Sequence, residues 1–230
     1  MVLLILAAPS FAQFRAGVKG GGNFSNMTMN MSGVELDIHE PRPGVQAGLM
    51  GEYMFSSLFG LQAEVSYFYC GANINSARYT QGMDLPEGVE LEGYISRHVF
   101  QLPLYLKTKF RLAGNTKMYV MGGGFGSYAP SAHQHMKTSY DGEYLKTKWS
   151  LYDSKIRILD EEADNVYMIQ RWNVGLAAEV GIEVMDKITV GIGFQHVLNN
   201  MAAFGYYSGS GSIKPDTRMW TASLSAGYFF

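Results

Sequence analysis

The sequence predicts an all-β fold, a transmembrane antiparallel up-and-down β-barrel of eight strands with short periplasmic turns and long extracellular loops. Three observations predict it: long segments that alternate apolar and small or polar residues with period two, a polar face crowded with Gly, Ala and Ser, and connections that alternate long and short. A period of two puts the two residue sets on opposite faces of a strand. Candidate strands cover 13–23, 44–55, 58–69, 95–110, 117–128, 167–184, 188–198 and 217–230, most of them 11 residues or longer. About 9–11 residues carry a tilted strand across a membrane.

The strand over 58–69 shows the pattern well. Phe59, Leu61, Ala63, Val65, Tyr67 and Tyr69 share one face, and Gly60, Gln62, Glu64 and Ser66 share the other. From Trp172 to Val184 the apolar set Trp172, Val174, Leu176, Ala178, Val180, Ile182 and Val184 is backed by Asn173, Gly175, Ala177, Glu179, Gly181 and Glu183. The last strand sets Trp220, Ala222, Leu224, Ala226, Tyr228 and Phe230 against Thr221, Ser223, Ser225 and Gly227. A soluble sandwich would carry Lys, Glu and Thr on its polar face; small residues suit the narrow interior of an eight-stranded barrel. Long connections fall at 24–43, 70–94, 129–166 and 199–216, and short ones at Ser56–Ser57, Arg111–Thr116 and Met185–Lys187. An even strand number leaves both ends of the barrel chain in the periplasm. The stretch Tyr144 to Leu159 reads as a hairpin above the membrane; a ten-stranded alternative would place it in the wall.

Composition agrees. The chain has 27 Gly, 15 Tyr and 13 Phe, with only 17% charged residues, which suits a β-protein that presents apolar surface to lipid. With 18 Lys+Arg against 20 Asp+Glu, the formal charge of −2 and the absence of an arginine-rich stretch leave no footprint for nucleic acid. After the first dozen residues no apolar run reaches the ~20 residues of a membrane-crossing helix. Residues 1–12 read as the remnant of a secretory signal, with Ser10 and Ala12 at its cleavage site and 13–230 as the barrel domain. No basic residue opens that block, which leaves the true start of the signal unfixed. Cys70 is the single cysteine, so no internal disulfide or zinc cluster is available.

The expected location is therefore the bacterial outer membrane. Only a closed barrel lets strands satisfy every backbone N–H and C=O in hydrocarbon. The expected contacts are outer-membrane lipid and lipopolysaccharide, and no cofactor is implied.

Four segments resemble the PorT-like outer-membrane β-barrel family. They are the glycine-rich opening Phe14-Arg-Ala-Gly-Val-Lys-Gly-Gly-Gly-Asn-Phe-Ser25, the proline strand Phe100-Gln-Leu-Pro-Leu-Tyr-Leu-Lys107, the segment Trp172 to Glu183, and the terminal Ser223-Leu-Ser-Ala-Gly-Tyr-Phe-Phe230. The resemblance implies an eight-stranded barrel inserted by the outer-membrane assembly machinery, with the C-terminal aromatics Tyr228 and Phe230 as the assembly signal. It also implies a link, in some members, to secretion or surface assembly through a protein partner. It supplies no catalytic residues.

The inward faces carry Arg15, Lys19, Glu52, Glu64, Lys107, Lys109, Arg171, Glu179 and Glu183. Ionisable groups at membrane depth are costly unless paired. They read first as a mutually neutralising plug, with a gated polar conduit for small solutes or peptides as the alternative. Lys109 sits close enough to the strand end to be merely periplasmic. His133 and His135 in loop three, with Asp141 and Glu143 nearby, lack a third metal ligand at a diagnostic spacing. The acidic run Asp160–Asp164 and Asp84, Glu87, Glu90 and Glu92 read as solvated loop. The repeat Met27 to Met31 reads as a mobile loop or a soft adhesive tip. Ser96 and His98 are the tempting nucleophile and base of an outer-membrane hydrolase; read as strand neighbours on opposite faces, they do not act together. The sequence thus points to a non-enzymatic barrel working through its extracellular loops.

Overall fold

The computed structural model describes residues 13–31, 33–79, 89–140, 143–152, 154–158, 161–166, 168–203, 206–208, 211–213 and 215–230. Residues 1–12, expected from the sequence to be the remnant of a signal, lie outside them. Eight long strands make the wall: β1 (Gln13–Met31), β2 (His39–Met54), β3 (Phe59–Ile74), β4 (Glu90–Ala113), β5 (Thr116–Tyr140), β6 (Trp172–Val184), β7 (Ile188–Val197) and β8 (Asp216–Phe229). Each pairs antiparallel with its neighbour in the chain, and β8 returns to β1 from Gly17 opposite Phe229 to Asn30 opposite Asp216. The ring therefore closes on eight strands, with no free edge in the wall.

The short turns are built as hairpin chemistry requires. Gly114 takes a positive φ of 51° as the first residue of a two-residue loop between Ala113 and Thr116. Met185 and Asp186 both take positive φ, 56° and 57°, and Lys187 N–H closes the turn on Val184 O at 3.1 Å. In the first turn the Ser56 hydroxyl accepts from the backbone N–H of Phe59 at 2.9 Å. Lys117 pairs with Asp186 across the periplasmic rim, and that hydrogen bond holds the Asp186 carboxyl below the usual carboxylate range.

The alternation read from the sequence sorts the wall as expected. Val45, Leu49, Leu61, Val65, Leu102, Leu104, Leu176, Ile192 and Leu224 all point outward and are at least 42% exposed. In water such a belt would forfeit ~1.5–3 kcal/mol per aliphatic side chain; against lipid tails it is at home. The inner face is filled by polar groups and a few large rings. Tyr119, only 2% exposed, lies where a Cβ on Gly181 or Gly191 would stand, so those glycines make room for its ring.

The outer side departs from the sequence reading. Much of what reads as loop is strand: β1 runs on to Met31, β3 to Ile74, and β4 and β5 reach 24 and 25 residues. At ~3.3 Å per residue the last two are about 80 Å long, far more than a membrane crossing needs. The segment Glu143–Ser150 adds a third strand to the outer end of β5, pairing His133 with Ser150 and Tyr140 with Glu143. It stands beyond the wall rather than entering it, which sets aside the ten-stranded alternative. His133 and His135 are accordingly strand residues, not loop residues. Met27 is likewise not a mobile tip, since it is buried at the outer mouth, 3% exposed.

Beyond Ser150 the chain folds back over the barrel. Leu151 and Tyr152 are 3% and 1% exposed, and Leu151 N–H bonds to Ala132 O at 2.9 Å. Met168, Ile169, Met201 and Ala202 complete this cap, tied by Met168 N–H to Leu151 O at 2.9 Å and by an Ile169–Ala202 bridge. At the periplasmic end Phe229 turns inward and is fully buried, while Phe230 stays outside. The barrel is thus closed at both ends by apolar side chains.

Candidate functional site

The period-two inward positions of β1 to β4 and β6 carry the charges into one column. Near the periplasmic end Glu52 and Glu183, both fully buried, receive three cations. Arg15 reaches Glu52 Oε1 at 2.5 Å and Glu183 Oε2 at 3.0 Å. Lys109 bridges the same two carboxylates at 2.7 Å each. Lys107 lies 2.8 Å from Glu52 Oε2, an ion-pair contact not aligned as a hydrogen bond, and donates to Gln62 Oε1 at 2.6 Å. The Arg15 guanidinium also rests 4.1 Å from the centre of the Phe229 ring.

One layer further out, Lys19 bridges Glu64 at 3.0 Å and Glu179 at 2.7 Å. Glu64 takes a further hydrogen bond from Gln62 Nε2 at 2.6 Å, and Glu179 one from the Tyr119 hydroxyl at 2.7 Å. Four cations therefore meet four carboxylates, and nearly every carboxylate oxygen has a donor. Such a network satisfies the condition under which buried charges are tolerated. The cavity left beside Lys19, Glu64 and Glu179 is about 30 Å³, room for about a water or two.

Eight of the nine inward charges expected from the sequence, Arg15, Lys19, Glu52, Glu64, Lys107, Lys109, Glu179 and Glu183, meet in this column. Arg171 does not. It precedes the true start of β6, donates to Pro130 O at 2.8 Å and lies 4.2 Å over the Tyr152 ring, so it belongs to the outer cap. Lys109 is not periplasmic either: it is 5% exposed and joins both inner carboxylates. Gln62 and Tyr119, which extend the network, carry no charge to draw attention in the sequence. Arg97 was also missed, although counting by twos from Lys107 along β4 places it inside; it is 2% exposed.

On the outward face of the extension a second group of residues gathers. Arg42 lies 3.7 Å over Tyr94, Tyr94 stacks on His135 at 4.4 Å, and Lys137, Lys146 and Lys148 follow along β5 and its added strand. Burial and the nearby Lys148 lower the pKa of His133 and His135, which favours the neutral form of both rings. Ser96 and His98, two positions apart, share this face, contrary to the strand-neighbour reading. They still do not pair. The His98 ring is bonded to the Tyr67 hydroxyl at 2.6 Å, and Ser96 Oγ lies 3.4 Å from His135 Nε2 with no carboxylate orienting that ring among the hydrogen bonds of the described residues. Among the described residues no three His, Cys, Asp or Glu side chains gather as a metal site. Asp84 and Glu87 lie outside the described residues, and the side chains of the 160–164 run are likewise outside them.

A family model for the outer membrane protein β-barrel domain matches residues 11–203. The chain belongs to that family. It is a bacterial outer-membrane protein, and the closed ring of eight long strands is this family member's membrane domain. No curated protein matches the sequence. Among solved structures, Ail, the attachment invasion locus protein of Yersinia pestis, is 14% identical, with 95% of this chain and 99% of that chain covered and a TM-score of 0.39. OprG from Pseudomonas aeruginosa is also 14% identical, with 94% and 95% covered and a TM-score of 0.45. The outer-membrane protease OmpT of Escherichia coli is 11% identical, with 97% and 98% covered and a TM-score of 0.41.

Proposed function

We propose that this family member is a non-enzymatic, plugged barrel that acts through the sheet it raises above the outer leaflet, as a surface platform for a protein partner in assembly, secretion or envelope integrity. The observation that carries this is the contrast between its two halves. The charged column of the lumen is mutually paired and the barrel is capped, whereas the β4–β5 hairpin runs far past the wall and gains an exposed third strand. A PorT-like subgroup, suggested by the glycine-rich opening and the proline strand, fits the same reading. The basic row Lys137, Lys146, Lys148 beside Arg42 stands on the extension beyond the apolar belt, with Lys137 ion-paired to Glu92 at 3.1 Å, and we assign it to contact with lipopolysaccharide phosphates.

Planar-bilayer recording of the purified barrel tests the plugged lumen, and the expected result is an absence of unitary current. Stable steps abolished by Glu179→Gln would replace this reading with the conduit. Replacing all three lysines by Gln tests the platform's footing: lipopolysaccharide retained on purification should fall about fivefold per lysine, at ~1 kcal/mol each. Retention equal to the unaltered barrel would remove the assignment.

A further inference from the structure

Arg97 is a lumen cation that the charge network does not reach. Its Nη1 has only the Met201 and Met219 sulfurs, each at 3.8 Å. With the Asn173 amide turned so that its oxygen faces the guanidinium, Nη2 donates to that oxygen at 3.1 Å, and Nε has no partner. Thioethers are weak acceptors, and no described carboxylate pairs with this side chain. An arginine, unlike a lysine, does not shed its proton when buried, so the charge must be answered by a counter-charge.

Beside the guanidinium is a cavity of about 20 Å³ whose polar lining, apart from Arg97 itself, is Gln101, Ser127, Asn173, Gln195, Thr221 and the Cys70 thiol, the rest being apolar. These polar groups are amides, hydroxyls and a thiol, able to turn a donor inward, and no carboxylate is among them. This distinguishes it from the cavity below, where Glu64 and Glu179 would repel an anion. Outside it lies the apolar mouth, a cavity of about 290 Å³ lined by Met27, Trp149, Met168, Ala202 and Thr217 among others. Met201, the chain neighbour of Ala202, touches Arg97, and Met219, which lines the chamber, touches it too, so two flexible thioethers lie on this side of the guanidinium.

We propose that this chamber binds one small monovalent anion of halide size as the counter-ion of Arg97. The volume admits a single chloride-sized occupant and excludes sulfate, phosphate or an organic acid. The site is independent of what the outer sheet recognises, since it depends only on the interior of the wall.

Crystals of the unaltered barrel soaked in sodium bromide decide the matter. The expected result is an anomalous peak within hydrogen-bond distance of the Arg97 guanidinium, lost in Arg97→Gln crystals. Bromide peaks confined to exposed lysines would mark surface adsorption and overturn the proposal, as would no peak in the lumen. In solution, thermal unfolding is followed by gel mobility at fixed ionic strength with chloride, bromide or gluconate. Each tenfold rise in free halide above the dissociation constant should raise Tm by about 3–6 °C, with gluconate inert and R97Q flat. An equal halide response in R97Q would also overturn it. Should R97Q fail to assemble, the bromide map of the unaltered barrel stands as the test.

Discussion

Glu52→Gln probes the plug at its most connected point. Glu52 is fully buried, takes Arg15 and Lys109 on one oxygen and has Lys107 against the other. The substitution keeps the shape and removes one of two carboxylates facing three cations, so Glu183 alone must balance them. Removing one partner of a buried ion pair typically costs ~3–5 kcal/mol, because the other charge is left uncompensated. With a urea dependence of ~2–3 kcal/mol per molar, the unfolding midpoint in lipid vesicles should fall by about 1–2.5 M. Tryptophan fluorescence and gel mobility report the transition. The double variant Glu52→Gln with Lys109→Met restores neutrality and should recover at least half of the loss. A midpoint shift below about 0.3 M, or a double variant whose losses simply add, would show that the column is solvated and contributes little. The plug would then be packing alone.

Three further outcomes follow from other parts of the structure. Burial lowers the His39 pKa from 6.5 to about 4, so the folded ring resists protonation while the unfolded one accepts it. Stability is then full above pH 6.5, falls by up to ~3 kcal/mol as pH drops toward 4, and is level below that; urea titration of His39→Gln should lack that slope. Gly191→Val places methyl groups against Tyr119 and the Glu179 carboxylate and should destabilise by about 1–3 kcal/mol, read from the same titrations. Tyr152→Ala opens the outer cap beneath Arg171 and should leave heat-modifiable migration intact while increasing protease cleavage within 150–171; unchanged cleavage would mean the cap is held elsewhere.

The wall was legible because lipid enforces its pattern. A residue facing hydrocarbon must be apolar and its neighbour must fit a narrow interior, so Leu58 to Tyr69 and Trp172 to Val184 declare their faces one residue at a time. That constraint stops at the membrane surface. Past Phe100 on β4 and Tyr128 on β5 the ladder continues, but both faces meet water, cap or neighbouring strand, and the alternation that would mark Glu90–Ile95 or Ser131–Tyr140 as strand fades. Arg171 has the inward parity of Asn173, yet it lies above the ladder, where parity no longer dictates direction. The sequence pattern ends the strand at 110 and so puts Lys109 near its end; the turn sits at Gly114, which leaves Lys109 inside. Ser96 and His98 show the reverse case: they stand two positions apart, so strand parity alone places both on one face.

The chemistry of the interior also bears on where this protein can act. To open a path along the axis, Phe229 would have to leave the periplasmic mouth, and Glu52 and Glu183 would have to release Arg15 and Lys109 together, since both cations bridge both carboxylates. Each broken buried contact of this kind is worth several kcal/mol. A passing solute that binds weakly enough to leave again returns only a few kcal/mol in all. The cap would add its own cost, because backbone hydrogen bonds run from Met168 to Leu151, from Gln170 to Met201 and from Met201 to Thr217. The extension pays no comparable penalty to engage a ligand: its strand Glu143–Ser150 already exposes Tyr144, Leu145, Lys146 and Lys148 beyond the membrane. A surface with exposed aromatic, aliphatic and cationic side chains, anchored on a rigid filled barrel, meets the conditions for recognising a macromolecule at the cell surface without moving the wall beneath it.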